Sequence, residues 1–422
     1  MRDWGLLDQV LAKASLPQIM SYRSYRNGQV LNASPFSPVI ENRFGSPHLV
    51  IHRKEILKIL LEEARRLNVD LKTNSRVVDI DLSAVMVTTA GGEIMTADLI
   101  VAADGDHGFC RSKILGRAEV PQPEPTGTLV YRFTVDSDVL RRDPELGRLV
   151  NPPGIVCWIA PKSHVVMYEL SYNGIVNVVV TAPDPVEGRI QLGPRPADPA
   201  RLASAFADWD PLFLKLLKAA KSANYWTLLQ LSKENRVWVD DKARRTLLVG
   251  DAAHAMTPYL YVQDQSRSVK ISTRLVCIHR DTPEYSLTMN FQYRGQGGAQ
   301  SIEDGAFLGY LFGKTATKED VVAKLMHFCE RRQPRTLLVR EKARQVGQVL
   351  ELEEGKEQQM RDFQFLFEPP TAGFPNPFAD PYLTKWLYCY DVKADAEGTQ
   401  DYSDLERPHP KAVSFALAVS KL

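Results

Sequence analysis

Two carboxylates stand at the ends of predicted buried strands, so each can serve local structure or bind a ligand. In "LLVGDAAHAMTP", Leu247 to Pro258, an apolar strand leads into Gly250, which permits a sharp turn, and Asp251 lies where a helix begins. Upstream, the apolar run Leu99–Ala103 ends at Asp104–Gly105, a pair that is also common in plain turns. Both acids are therefore candidates for ligand binding as well as for local structure.

A cluster of glycines precedes a predicted helix further along the chain. In "RGQGGAQSIEDG", Gly295, Gly297 and Gly298 would expose backbone N–H groups at the positive end of the helix dipole. The same glycines could instead form a flexible loop. The first interpretation predicts a site for negative charge.

Nucleophilic and metal chemistry are not predicted. His52, His107 and His254 have no nucleophile or metal-ligand partner at a suitable spacing, and we interpret them as structural. The five cysteines are odd in number and lack CxxC or Cys/His spacing, so we expect reduced intracellular thiols. They are Cys110, Cys157, Cys277, Cys329 and Cys389.

The composition is that of a globular protein of two or three domains, with 422 residues and a net charge of +1. Acids and bases are interspersed, which argues against a nucleic-acid partner. The N-terminus has the pattern of an amphipathic helix rather than a signal peptide, and no run approaches the roughly 18 apolar residues that span a bilayer. We expect a cytoplasmic protein.

The elements that carry these residues follow from periodicity. "HRKEILKILLEEARRLNV" predicts an amphipathic helix, and short strands with a hairpin at Gly91–Gly92 make the first 120 residues mixed α/β. From about Thr126, strands separated by turn residues predict an antiparallel sheet. Helices are predicted over 201–220, 301–312 and 318–350, the last kinked or broken at Pro334.

Three stretches together resemble single-component flavin monooxygenases of the p-hydroxybenzoate and salicylate hydroxylase type, in particular those of fungal secondary metabolism. They are "DLIVAADGDHGFCRSKILG", "LLVGDAAHAMTP" and "YRGQGGAQSIEDGAFLG", and the resemblance covers nearly the whole chain. It implies a flavoprotein that uses FAD, NAD(P)H and O2 to hydroxylate an aromatic or polyketide-like small molecule. Epoxidation and oxidative decarboxylation are the alternatives within the family.

The resemblance also implies roles for individual residues. It assigns Arg132 and Tyr168 to holding and polarising a phenolic substrate, although Arg132 could pair with an acid and Tyr168 could be core. Glu169 stands where relatives often have proline. Arg53 could be a solvated helix residue, but the family uses this arginine to reach the cofactor. The predicted FAD-binding residues are Arg53, Asp104, Asp251, Pro258, Gly297 and Gly298.

The implied fold class is α/β (α+β), a partial Rossmann-like FAD-binding domain combined with an antiparallel β-sheet substrate domain. We predict the FAD-binding domain over 1–120, the substrate domain over 121–240, a return to the FAD-binding domain over 241–350, and a helical or irregular segment over 351–422.

Two departures from the family affect the expected activity. No GxGxxG occurs in the sequence, so we expect an N-terminally truncated FAD-binding unit that holds the cofactor weakly. Residues 260–293 interrupt the turn after Pro258 and have no clear periodicity, which favours translated intron sequence or a genuine loop excursion. We expect this segment to be disordered or looped outward. A catalytically inactive remnant is the alternative to an active enzyme.

Overall fold

The computed structural model describes residues 1–106, 108–116, 124–170, 174–186, 188, 190–191, 193–230, 237–256, 275–279, 296–313, 317, 319–366 and 381–400. Strands and helices alternate in the order that the sequence predicts, and the fold class is the predicted mixture of α and β structure. None of the helices within these ranges is both long enough and apolar enough to cross a bilayer.

The strands form one large and two small sheets. The largest has the order β11-β12-β7-β10-β9-β8-β1-β2 and is antiparallel except where β1 pairs with β8. The strands are β1 (Ile19–Ser24), β2 (Val30–Pro35), β3 (Val77–Asp81), β4 (Met86–Thr89), β5 (Ile94–Thr96), β6 (Leu99–Ala103), β7 (Glu124–Asp136), β8 (Gly154–Ala160), β9 (Ser163–Leu170), β10 (Ile175–Pro183), β11 (Arg195–Ala197), β12 (Ala223–Gln230), β13 (Thr246–Leu248) and β14 (Leu275–His279).

The helices pack on both faces of the large sheet and around the small parallel sheet. They are α1 (Leu7–Leu11), α2 (Val39–Phe44), α3 (Arg53–Arg66), α4 (Cys110–Leu115), α5 (Ser137–Arg142), α6 (Pro199–Ala205), α7 (Pro211–Lys218), α8 (Asp251–His254), α9 (Gln296–Phe312), α10 (Asp320–Leu350), α11 (Lys356–Gln364), α12 (Pro381–Tyr388) and α13 (Val392–Ala396), with a 3-10 turn at Leu146–Leu149.

The large sheet separates two hydrophobic cores because alternate side chains of each strand point to opposite faces. On β10, Val178 and Val180 pack with α6 and α7, whereas Val179 belongs to the core shared with α10. A third core surrounds the parallel sheet β13-β6-β14 and includes the fully buried Ile100 and Leu247. The face that looks toward α10 is the one that carries the candidate substrate residues.

The expectation that residues 260–293 loop away from the fold is wrong for β14. Leu275–His279 pairs in parallel with β6 over its whole length, so β6 has β13 on one edge and β14 on the other. The physical reason is that a buried strand with unpaired N–H and C=O groups is costly, and "LVCIH" has the apolar composition of a strand. The rest of the segment lies outside the described residues.

The prediction of one helix over 201–220 needs correction, and of the kink or break predicted at Pro334 only the break is wrong. Residues 201–220 form two helices because Asp210 leaves helical geometry, caps Leu212 through its carboxylate and precedes Pro211. Conversely, α10 runs through Pro334 without a break. Buried contacts of Arg332 and Arg335 hold the helix on either side of the proline, and this packing outweighs the lost hydrogen bond.

Candidate active site

The two acidic turns predicted from the sequence lie side by side because β6 and β13 are parallel neighbours. Asp104 follows β6, is 4% exposed, and accepts a hydrogen bond at Oδ2 from the N–H of Cys110 at 3.0 Å, so it does cap α4. Its Oδ1 has no hydrogen-bond partner among the described residues. Gly108 lies against this carboxylate, where an added Cβ would come within 2.0 Å of Cγ. Capping therefore uses only half of the carboxylate.

Asp251 begins α8 at a turn that only glycine accommodates easily. Gly250 has φ +58° and lies against α9, where an added Cβ would come within 2.9 Å of Ser301 Oγ. The Asp251 carboxylate faces the first turn of α9, since a Cβ on Gly297 would lie 3.4 Å from its Oδ1. The sequence placed Gly297 and Gly298 just before a helix, whereas α9 begins at Gln296 and includes both.

Arg53 is the first residue of α3 and lies near the Asp251 carboxylate. Burial lowers the pKa of Arg53, and the nearby Asp251 carboxylate partly offsets this effect. The structure thus brings together Arg53, Asp251 and the start of α9, and their role in holding FAD stays a prediction. Pro258 lies outside the described residues.

Arg111 joins the two acidic turns and was missed by the sequence analysis. Its guanidinium donates from Nε and Nη2 to the carbonyl oxygen of Ala252 at 2.9 and 2.7 Å, and from Nη2 to that of Asp251 at 3.0 Å. Nη1 donates to the carbonyl oxygen of Asp106 at 3.1 Å. One buried cation therefore fixes the distance between the two turns.

A buried charge network supports the Asp251 turn from behind. Asp304 Oδ2 accepts from the N–H of Gly250 at 3.0 Å and lies 2.6 Å from His254 Nε2. Its Oδ1 accepts from Arg332 Nε at 2.9 Å, and Arg332 Nη1 donates to Glu303 at 2.6 Å. Burial would raise the pKa of Asp304, but His254 and Arg332 outweigh it and hold the pKa below its usual value. His254 therefore has the structural role predicted for it here.

The predicted substrate residues Arg132 and Tyr168 lie on neighbouring parts of the large sheet. Burial lowers the pKa of Arg132, partly offset by Tyr168, and the guanidinium remains charged at neutral pH because its ordinary value is so high. Burial raises the pKa of Tyr168, opposed by Arg132 and Asn177. Tyr168 is 7% exposed and belongs to the hydrophobic core, so it keeps its proton at neutral pH and can donate a hydrogen bond.

Asn177, which the sequence analysis did not single out, lies between these two residues. Its Oδ1 accepts from Arg132 Nε at 2.6 Å, and it pairs directly with Tyr168 across β9 and β10. The possible signal was an asparagine inside the apolar run "IVNVVV". Glu169, next along β9, forms an ion pair with Arg141 at 2.5 Å and leaves the strand regular.

His52 connects the two halves of the site. As the N-cap of α3 it accepts the N–H of Lys54 at Nδ1, at 3.1 Å, while its neighbour Arg53 faces Asp251. Burial, followed by the charge of Arg132, lowers the pKa of His52, so it is neutral at pH 7. The start of α3 thus lies between the acidic turns and the face of the large sheet that carries Arg132 and Tyr168.

These residues fit FAD. The buried Asp104 Oδ1 and the Asp251 carboxylate are hydrogen-bond acceptors of the kind that sugar-like hydroxyl groups need. The N–H groups in the first turn of α9, together with Arg53, suit the electron-rich edge of a flavin. Acids at the carboxyl ends of parallel strands beside the first turn of a helix are typical of a nucleotide-cofactor site.

Comparison with known proteins identifies this class more closely. Residues 1–260 match the FAD binding domain family, and the chain belongs to that family. It is an oxidoreductase of the FAD-dependent monooxygenase type with FAD as its cofactor, which confirms the prediction made from the motifs.

Curated relatives and solved structures agree with this assignment. The chain is 27% identical over 404 residues to FAD-dependent monooxygenase OpS4 of Beauveria bassiana, covering 94% of this chain and 84% of the relative. It is 26% identical to 3-amino-4-hydroxybenzoate 2-monooxygenase PtmB3 of Streptomyces platensis, covering 92% and 83%. Its fold is similar to a salicylate hydroxylase substrate complex, with a TM-score of 0.68, 21% identity and coverage of 92% and 84%.

Proposed function

We propose that this chain hydroxylates the ring of a phenolic small molecule, aromatic or polyketide-derived, in a specialised biosynthetic pathway. The observation that carries the proposal is that a partly buried cation, Arg132, and a buried tyrosine, Tyr168, flank the same asparagine, Asn177, on the large sheet. A phenolate oxygen can accept a hydrogen bond from both. One relative is named as a hydroxybenzoate monooxygenase and one similar structure as a salicylate hydroxylase, which supports a phenolic substrate.

Each half of the site would make a distinct contribution. Bound FAD, reduced by NAD(P)H, supplies the activation of O2, so that a ring C–H becomes C–OH while the second oxygen atom leaves as water. Asp251 and Arg53 would hold the cofactor at the edge of the parallel sheet. Arg132 would stabilise negative charge on the phenolic oxygen, which makes the ring electron-rich, and Tyr168 would fix that oxygen by donating to it.

The test is oxidation of NADH and NADPH by the purified full chain in the presence of 4-hydroxybenzoate, salicylate, resorcinol and orcinol. We expect at least one phenol to stimulate oxidation and to yield a hydroxylated product that carries one ¹⁸O atom from ¹⁸O2. A hydroxylated product of 4-hydroxybenzoate or salicylate that has also lost CO2 would instead support oxidative decarboxylation. A colourless protein without flavin and without turnover would support the inactive remnant.

The cofactor role of Asp251 can be separated from helix capping. We expect Asp251→Ala to weaken FAD binding about 10- to 100-fold, because a hydrogen bond to a charged group is worth about 1.5–3 kcal/mol. Fluorescence titration of apoprotein with FAD measures the change. The matched control is Asp198→Ala, which removes a carboxylate that caps α6 through the N–H of Ala200. In the structure Gly250, not Asp251, is the N-cap of α8, and no side chain caps this helix, so the predicted capping role is wrong. If Asp251→Ala lowers only thermal stability, as the control should, Asp251 stabilises the turn and does not hold the cofactor.

A further inference from the structure

Asn177 is a polar residue in the middle of a buried, apolar strand. It interrupts the apolar run Ile175–Val180 of β10, where valine packs well and asparagine is disfavoured, and it is only 1% exposed. A buried amide that lacks part of its hydrogen bonding is destabilising, and Asn177 Nδ2 has no hydrogen-bond partner among the described residues. Packing therefore does not explain this residue.

The contacts of Asn177 fix the orientation of its amide. Arginine can only donate, so the atom that lies 2.6 Å from Arg132 Nε is the oxygen Oδ1. The donor Nδ2 therefore faces away from Arg132. Tyr168 is the residue directly opposite Asn177 on β9. The Asn177 amide also opposes the burial that raises the pKa of Tyr168, as expected for a donor near the phenolic oxygen.

We propose that Asn177 is a positioning residue that orients both Arg132 and Tyr168 toward one oxygen of the substrate. Engaging Nε fixes the plane of the Arg132 guanidinium. Because Tyr168 lies directly opposite, an amide donor on this side favours the orientation in which the Tyr168 O–H points away from Asn177 and toward the substrate. Two donors that converge on one oxygen, one of them a cation, favour a negatively charged acceptor, so the recognised group is a phenolate rather than a neutral hydroxyl group. This inference rests on the proposed function of the Arg132–Tyr168 pair.

The first test does not depend on the substrate. In ¹H–¹⁵N spectra of the full-length flavoprotein, a buried Arg132 Nε–H that is hydrogen-bonded should exchange slowly and give a signal, assigned by its loss in Arg132→Lys. We expect Asn177→Leu to abolish the signal and Asn177→Asp to keep it, because aspartate retains the acceptor. Persistence of the signal in Asn177→Leu would overturn the proposal.

The second test uses the phenol that gives the fastest turnover in wild type. We expect Asn177→Leu to lower kcat/KM about 10- to 100-fold, mainly through a higher KM, with FAD content unchanged, since small displacements near the reacting atoms cost up to about a hundredfold. Asn177→Asp should also raise KM, because its charge neutralises Arg132.

Thr181→Val is the matched control. Thr181 is buried on the same strand and bonds His164 and Glu351 instead of Arg132, so its loss should lower stability and leave KM unchanged. Equal effects of Asn177→Leu and Thr181→Val on KM would reduce Asn177 to a structural residue. If wild type hydroxylates no phenol, the proposed function fails, while the Arg132 signal still decides whether Asn177 holds the guanidinium.

Discussion

Replacing Arg132 by methionine lowers kcat/KM for the phenolic substrate by about 100- to 1000-fold, the loss that follows when one preorganised donor to a developing anion is removed. The reason is that Arg132 is partly buried, so water screens its charge on the phenolate less than it would at the surface. FAD content should not change, because the residues proposed to hold the cofactor lie on other elements. Steady-state kinetics together with the flavin absorbance per mole of protein measure both quantities.

Two further variants make this test specific. Arg132→Lys keeps the charge but loses the planar fork that donates from several atoms, so we expect a partial loss. Arg201→Met removes an exposed arginine from α6 and should leave kinetics unchanged. Wild-type kcat/KM in Arg132→Met would show that the substrate oxygen is held elsewhere.

Replacing Asp304 by alanine should produce the largest loss of stability. Arg332 and Glu303 belong to the same buried network, and truncating one partner of a buried ion pair leaves an uncompensated charge that costs about 3–5 kcal/mol. The turn at Gly250 also loses the acceptor of its N–H. We therefore expect a lower urea midpoint and early release of FAD on heating, measured by flavin fluorescence.

The matched control is another ion pair on α10. Glu341 and Arg344 are exposed, with side chains 43% and 50% accessible, and Glu341→Ala should change stability by no more than about 1 kcal/mol. Asp304→Asn, which keeps an acceptor but not the charge, should fall between the two. Similar urea midpoints for Asp304→Ala and Glu341→Ala would show that loss of Asp304 leaves no costly uncompensated charge in the buried network.

Elements whose pattern is local were predictable from the sequence. The helix after His52 and the strands at Leu99–Ala103 and Gly154–Ala160 coincide with the structure, because apolar spacing and turn residues specify each of them without help from the rest of the chain. The fold class and the cofactor followed from motifs and are confirmed. The specific roles of Arg132, Tyr168 and the FAD-binding residues remain predictions.

Features that depend on distant partners were not predictable. β14 becomes a strand because β6 offers it an edge, and no periodicity within residues 260–293 signals this. Likewise, Arg111 contacts the carbonyl oxygen of Ala252, and Asp304 contacts Gly250, across long stretches of chain. Asn177 had a local signal, the interrupted valine run, but its partners Arg132 and Tyr168 become neighbours only when β7, β9 and β10 pair.

The arrangement of the sheets has a consequence for synthesis on the ribosome. Every strand of the large sheet precedes residue 231, so that sheet can assemble while the chain is still being translated. β6 is made early, yet it must wait for β13 and β14, and the network around Arg332 closes only when Tyr390 and Asp395 have emerged. Until then the nascent chain carries an apolar strand with open edges, a state prone to aggregation. Flavin loading is therefore a late step of maturation, and slower translation beyond residue 230 should raise the yield of yellow protein.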